Sequence, residues 1–284
     1  MNTPDTQNRW DVIFQRLHLT IPVLMGIVIF LNPFPFSTAA KEIGFYGSLF
    51  LVLVLVGFRK VKFSFQSPLT IPLVLFVLWV SIGLFFAIDA ENSIHDYQTH
   101  LLKYIAFYYI VVNFFGSRKR LSALSWVVIL SGAIFSVGDI VYFYGIRGNP
   151  LSEKLVTGIS EVAVNWVGIV AVPAAVFALQ YLMTGNDSRL KALAVFCIIS
   201  TFTICILTQA RSTMLALFLS IFILFARNKK IMIVCLGVVL MMTTMTPLMD
   251  RLSEKDTILR RLSIHYLNFE IIKDYPVLGI GFGM

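Results

Sequence analysis

The sequence predicts an all-α polytopic membrane protein, about nine transmembrane helices followed by an extracytoplasmic amphipathic tail. Three observations carry that prediction. Apolar runs approaching the roughly 20 residues needed to cross hydrocarbon recur at approximately 17–36, 43–58, 69–88, 101–116, 121–145, 162–183, 190–208, 212–226 and 231–248. Charged residues make up 13% of the chain, against roughly 25% in soluble domains, and mean hydropathy is +0.83. The basic residues fall in alternate connecting segments, as a membrane topology requires.

Each element has its own signal. The run 17–36 follows a polar lead bearing Arg9 and Arg16. It is longer than the apolar core of a signal peptide, so it is kept as a span although Ser37-Thr38-Ala39-Ala40 faintly resembles a cleavage site. Segment 43–58 stops at Arg59-Lys60-Val61-Lys62, and 101–116 stops at Arg118-Lys119-Arg120. Between 69–88 and 101–116 lies a polar loop with Asp89, Glu91, His95, Asp96 and His100. Its spacing matches no standard ligand pattern, so it reads as a solvated loop and no metal is assigned. Segment 121–145 holds Asp139, a turn or two from its outer end, and 162–183 opens at Asn165-Trp166, a pair suited to interfacial packing or sugar contact alike. Cys197, Cys205 and Cys235 sit inside apolar runs, where cysteine behaves as a small hydrophobe; neither disulfide nor metal follows. His18 reads as interfacial.

With a cytoplasmic N-terminus, segments 1–16, 59–68, 117–120, 184–191 and 227–230 face inward. They hold thirteen of the 23 Lys and Arg residues and three acids, Asp5, Asp11 and Asp187. The net charge of +8 therefore reports topology, and no nucleic-acid partner is needed to explain it. An odd number of spans divides the chain into a transmembrane domain, 1–248, and a tail, 249–284, on the outer face.

Two stretches carry candidate chemistry. Arg211 opens the run 212–226, whose 15 residues span about 22 Å at 1.5 Å each, short of a core of roughly 30 Å. A guanidinium at that depth is a functional candidate or a snorkelling side chain. In the tail, Ile258, Leu262, Tyr266 and Phe269 make one helical stripe, with Arg260 opposite and Arg261 at its flank, as in a helix lying on a membrane surface. Asp274-Tyr275-Pro276 ends that helix, because proline disfavours helical backbone in the residue before it. Gly279-Ile280-Gly281-Phe282-Gly283 then permits a tight turn or close approach to a ligand. A dinucleotide loop is a poor match, lacking the strand and helix that should flank it. His265 has no obvious acidic partner.

Thr208-Gln209-Ala210-Arg211-Ser212, Arg261-Leu262-Ser263-Ile264-His265 and Ile272-Lys273-Asp274-Tyr275-Pro276-Val277-Leu278-Gly279-Ile280-Gly281 together resemble the O-antigen ligase and polymerase superfamily of bacterial cell-envelope glycosyltransferases. The resemblance implies an inner-membrane enzyme that moves a glycan from undecaprenyl pyrophosphate to a lipid A-core sugar hydroxyl at the periplasmic face. It places Arg211, Arg260 and Arg261 at the donor pyrophosphate and Pro276, Gly279 and Gly281 in substrate binding, with membrane lipids as surroundings and no cofactor. His265 stands where the family usually has tryptophan. Family members also continue beyond this signature, through a large periplasmic region with a catalytic histidine and then further spans, so the chain is expected to be truncated. A polymerase fits the same motifs. A lipid-linked glycan flippase or other transporter fits the helices and outer arginines without the tail signature, and a non-catalytic assembly role stays open.

Overall fold

A computed structural model describes residues 4–151, 153–155, 164–208, 210–225, 233, 237 and 255–283. Every regular element among them is helical. The helices are α1 (Pro4–Leu31), α2 (Thr38–Gly57), α3 (Thr70–Leu84), α4 (Ala90–Asp96), α5 (Lys103–Phe114), α6 (Arg118–Ile140), α7 (Val164–Thr184), α8 (Ser188–Leu207), α9 (Arg211–Phe225) and α10 (Lys255–Asp274). A π-helical turn, Tyr97–Leu102, joins α4 to α5, and another, Val141–Ile146, extends α6.

Among the described residues, five helical stretches are long and apolar enough to cross a membrane: Trp10–Leu31, Pro35–Gly57, Arg118–Ile146, Trp166–Thr184 and Ser188–Leu207. They answer to the runs at 17–36, 43–58, 121–145, 162–183 and 190–208. The runs at 69–88 and 212–226 form the shorter apolar helices Thr70–Leu84 and Ser212–Phe225. The run at 101–116 is the second half of a helix that starts at Ala90, so polar residues occupy much of its length. The run at 231–248, with Cys235, lies outside the described residues. The structure thus gives a multi-pass membrane protein without establishing the expected nine spans.

The chain divides into two compact units. The first comprises 1–21, 49–116 and 253–284. Its helix ends are held by polar side chains. Asn113 reads the backbone of Ser64 on both edges, accepting from its N–H at 2.8 Å and donating to its carbonyl at 2.9 Å. Tyr109 donates to Thr70 Oγ1 at 2.9 Å, and the hydroxyls of Ser81 and Tyr97 lie 2.8 Å apart. Lys60 pairs with Asp11 at 2.8 Å, while His18 packs on Phe114. At the end of α2, Arg59 adopts φ +53, and the N–H of Lys60 returns to the carbonyl of Leu55. This left-handed stop is the geometry that glycine usually supplies.

The second unit comprises 22–48 and 117–252. Its centre is α7, packed against α6, α8 and α9. Phe135, Val167, Ala171, Ala175, Ile204, Leu217 and Ile221 form the main core. Small residues bring the helices close: a Cβ at Gly132 would stand 2.4 Å from Ala174 Cβ, and one at Gly168 would stand 2.1 Å from Thr213 Oγ1. Close backbone approach through small residues is how helices associate without a hydrophobic driving force between them. Ser131 donates to the carbonyl of Phe30 at 2.6 Å, tying residues 22–48 to α6.

Candidate functional site

Helix α10 ends at Asp274, as Tyr275-Pro276 predicts. The N–H of Tyr275 still reaches Ile271 at 2.8 Å, and Gly279 closes a turn onto Tyr275 at 3.3 Å. Gly279, Gly281 and Gly283 have φ of +66, +132 and +78. All three alternating glycines therefore occupy backbone that L side chains rarely adopt.

The segment is docked within the first unit. The N–H of Ile88 donates to the carbonyl of Ile280 at 3.0 Å. A Cβ at Gly83 would lie 3.5 Å from the carbonyl oxygen of Leu278, an ordinary contact. A Cβ at Gly283 would lie 1.9 Å from Asp96 Oδ2, so the backbone rests directly on that carboxylate. The Pro–Gly segment thus lies against the end of α3, the connection to α4 and the last residue of α4.

The stretch 88–100, expected as a solvated loop, is instead helical from Ala90, as α4 followed by the π-helical turn. Asp89 caps α4 by accepting from the N–H of Asn92 at 3.0 Å, which accounts for it as a helix signal. Asp96 and His100 share one helical face, with Oδ1 and Nε2 3.6 Å apart. Asp96 is mostly covered, while His100 is exposed and stacks on Tyr104. They flank and enter the π-helical turn Tyr97–Leu102, a local form frequent at functional sites. An exposed imidazole near a carboxylate can take a proton from a hydroxyl. Among the described residues, no group of three or more His, Cys, Asp or Glu side chains is arranged to hold a metal ion.

Arg211 is the first residue of α9, in the second unit. Its backbone is well supported. Leu155 donates to the carbonyl of Leu207 at 3.1 Å, Ala210 and Thr208 are buried, and the N–H of Met214 bonds to Ala210 at 3.0 Å. Thr213 Oγ1, in the first turn of α9, is buried without a hydrogen-bond partner among the described residues. Asp139 is buried on α6. Arg260 and Arg261 lie in α10, in the first unit. The side chains of Arg211, Arg260 and Arg261 lie outside the described part of the structure, as does that of Asn165. Leu262, Tyr266 and Phe269 are exposed, but so are Leu259, Ile264 and Leu267, making the apolar surface of α10 broader than a single stripe. His265 is exposed as well.

The structure therefore seats the segment that holds Pro276, Gly279 and Gly281 against the stretch from the end of α3 to the end of α4, through Leu278, Ile280 and Gly283. It adds Gly283, Asp96 and His100, which sequence reasoning did not select. The i, i+4 spacing of Asp96 and His100 was a legible sign; the contact of Asp96 with a segment almost two hundred residues away was not. Comparison of the chain with protein-family models, with curated proteins and with solved structures finds no match to any of them.

Proposed function

We propose that this chain belongs to a bacterial inner-membrane glycosyltransferase of the O-antigen ligase type, with nine spans and a cytoplasmic N-terminus. Its donor is a glycan on undecaprenyl pyrophosphate, and its acceptor is a hydroxyl of the lipid A core. The observation that supports this reading is the Pro–Gly turn, an ordered element seated beside a carboxylate–imidazole pair.

In this scheme an acceptor hydroxyl oxygen attacks the anomeric carbon of the donor sugar. The bond from that carbon to the pyrophosphate oxygen breaks, and the lipid pyrophosphate leaves with the electron pair. The family resemblance assigns the diphosphate to Arg211, Arg260 and Arg261, and guanidinium forks bind phosphate oxygens bidentately and keep their charge. They also offset the negative charge that develops on the leaving group. His100, oriented by Asp96, takes the hydroxyl proton. The turn 275–283 shapes the backbone around the reacting groups. The scheme needs neither nucleotide nor metal.

The test is complementation of a strain lacking this protein. Arg211→Ala, Arg261→Ala and His100→Gln are each expected to abolish attachment of long glycan to lipopolysaccharide, with membrane levels unchanged. Long polymer left on the carrier lipid is the ligase outcome. Single repeat units on the core would reassign the chain as a polymerase, and repeat units trapped on the cytoplasmic leaflet would make it a transporter. Normal glycan ladders from both arginine variants would end the catalytic assignment.

A further inference from the structure

A cavity of about 330 Å³ opens between the start of α6 and the end of α7, inside the second unit. Its origin is mechanical. The two helices touch at Gly132 and Ala174, where there is no room for even a methyl group. Two turns toward the start of α6, Trp126 and Tyr181 face each other edge to face at 4.7 Å. These bulky rings hold the helices apart, and the space beyond them is lined by Arg118, Ser122, Ser125, Gln180 and Thr184, with apolar wall from Leu121 and Phe177.

We infer that this cavity binds the phosphodiester headgroup of an anionic phospholipid. Its location sets the class of ligand. Arg118 begins one long apolar stretch and Thr184 ends another, so the mouth lies where both leave the hydrocarbon, at headgroup depth. Tryptophan and tyrosine are the rings expected there. The charge of the lining selects anions. Arg118 makes no ion pair among the described residues, and no acid lines the cavity. Asp187, just beyond it, caps α8 through the N–H of Arg189. The positive end of the α6 dipole adds about half a charge and the end of α7 removes about half, so the full guanidinium charge decides the sign.

The wall separates a lipid from a free anion. Leu121 and Phe177 suit a glycerol backbone and the first methylenes of an acyl chain, and offer nothing to inorganic phosphate. The volume falls in the range of small-molecule pockets of roughly 300–1,000 Å³, and basic pockets between membrane helices are sites where anionic headgroups lodge. This assignment is independent of the proposed glycosyl transfer.

The full chain, purified in detergent, is equilibrated with phosphatidylglycerol or phosphatidylcholine, and bound lipid is counted by native mass spectrometry. Phosphatidylglycerol is expected to bind about tenfold more tightly, equivalent to about 1.4 kcal/mol. Arg118→Gln and Ser122→Leu, the second of which fills the cavity without changing charge, are each expected to abolish that preference. Lys119→Gln, on the same turn but not in the lining, is expected to keep it, as is the parent chain in millimolar inorganic phosphate. Equal binding of the two lipids, equal losses from Lys119→Gln and Arg118→Gln, or displacement of the lipid by phosphate would overturn the inference.

Discussion

At the scale of single residues, this protein spends glycine where helices meet and an arginine where a helix stops. Gly168 sits against Thr213, so Gly168→Ala forces a methyl group into the hydroxyl at 2.1 Å. Overpacking of that kind costs about 1–3 kcal/mol, and a lower thermal unfolding midpoint in detergent is the expected result. Arg59 shows the opposite case. A non-glycine residue at φ +53 is held there only by the α2 stop, and Arg59→Gly removes that strain. Part of the gain is offset by the added freedom of the unfolded chain, leaving about 0.5–1 kcal/mol. The midpoint is expected to rise; an unchanged or lower midpoint would mean that the Arg59 side chain contributes more than its backbone costs. Neither effect was legible in the sequence. Gly168 is one small residue in an apolar run, and Arg59 reads as part of a basic topogenic cluster.

At the scale of elements, the tail turn is the most informative. Its end point was readable, because Asp274-Tyr275-Pro276 stops a helix by local sterics alone. The need for glycine was readable too, and the positive φ at 279, 281 and 283 explains it. Where the turn docks was not readable, since the contact of Gly283 with Asp96 depends on distant segments sharing one unit. Gly283→Ala combines a strained φ with a 1.9 Å overlap and is expected to release the turn from α4. Lys273 is exposed beside that turn, so tryptic cleavage after it should accelerate by about tenfold if undocking gains about 1.4 kcal/mol. An unaltered cleavage rate would show that the contact with Asp96 does not restrain the tail. The helix α4 illustrates the same division: Asp89 signals its start, whereas the π-helical turn after Asp96 leaves no distinctive local pattern.

At the scale of the whole molecule, membrane topology is the property most open to measurement. Helix α3 has 15 residues, about 22 Å of rise against a core of roughly 30 Å, so length alone leaves its crossing undecided. The charge pattern favours a crossing, because the basic segment 59–68 and the acidic segment 89–96 then face opposite sides. Single cysteines at Lys62 and Asn92, in a background without native cysteines, are expected to react with a membrane-impermeant reagent from opposite faces. Labelling from the same face would remove α3 from the set of spans. The sequence by itself determined the helical class, the membrane setting, the tail stop and the need for permissive backbone near the end of the chain. Those properties depend on composition and short-range sterics, which are written locally. Tertiary structure alone decided that the Pro–Gly turn meets Asp96, that His100 stands beside that carboxylate, and that Gly132 and Ala174 set the crossing from which the α6–α7 cavity opens. Those are matters of which surfaces fit together, and apolar periodicity in a membrane chain marks every helix without ranking the pairings between them.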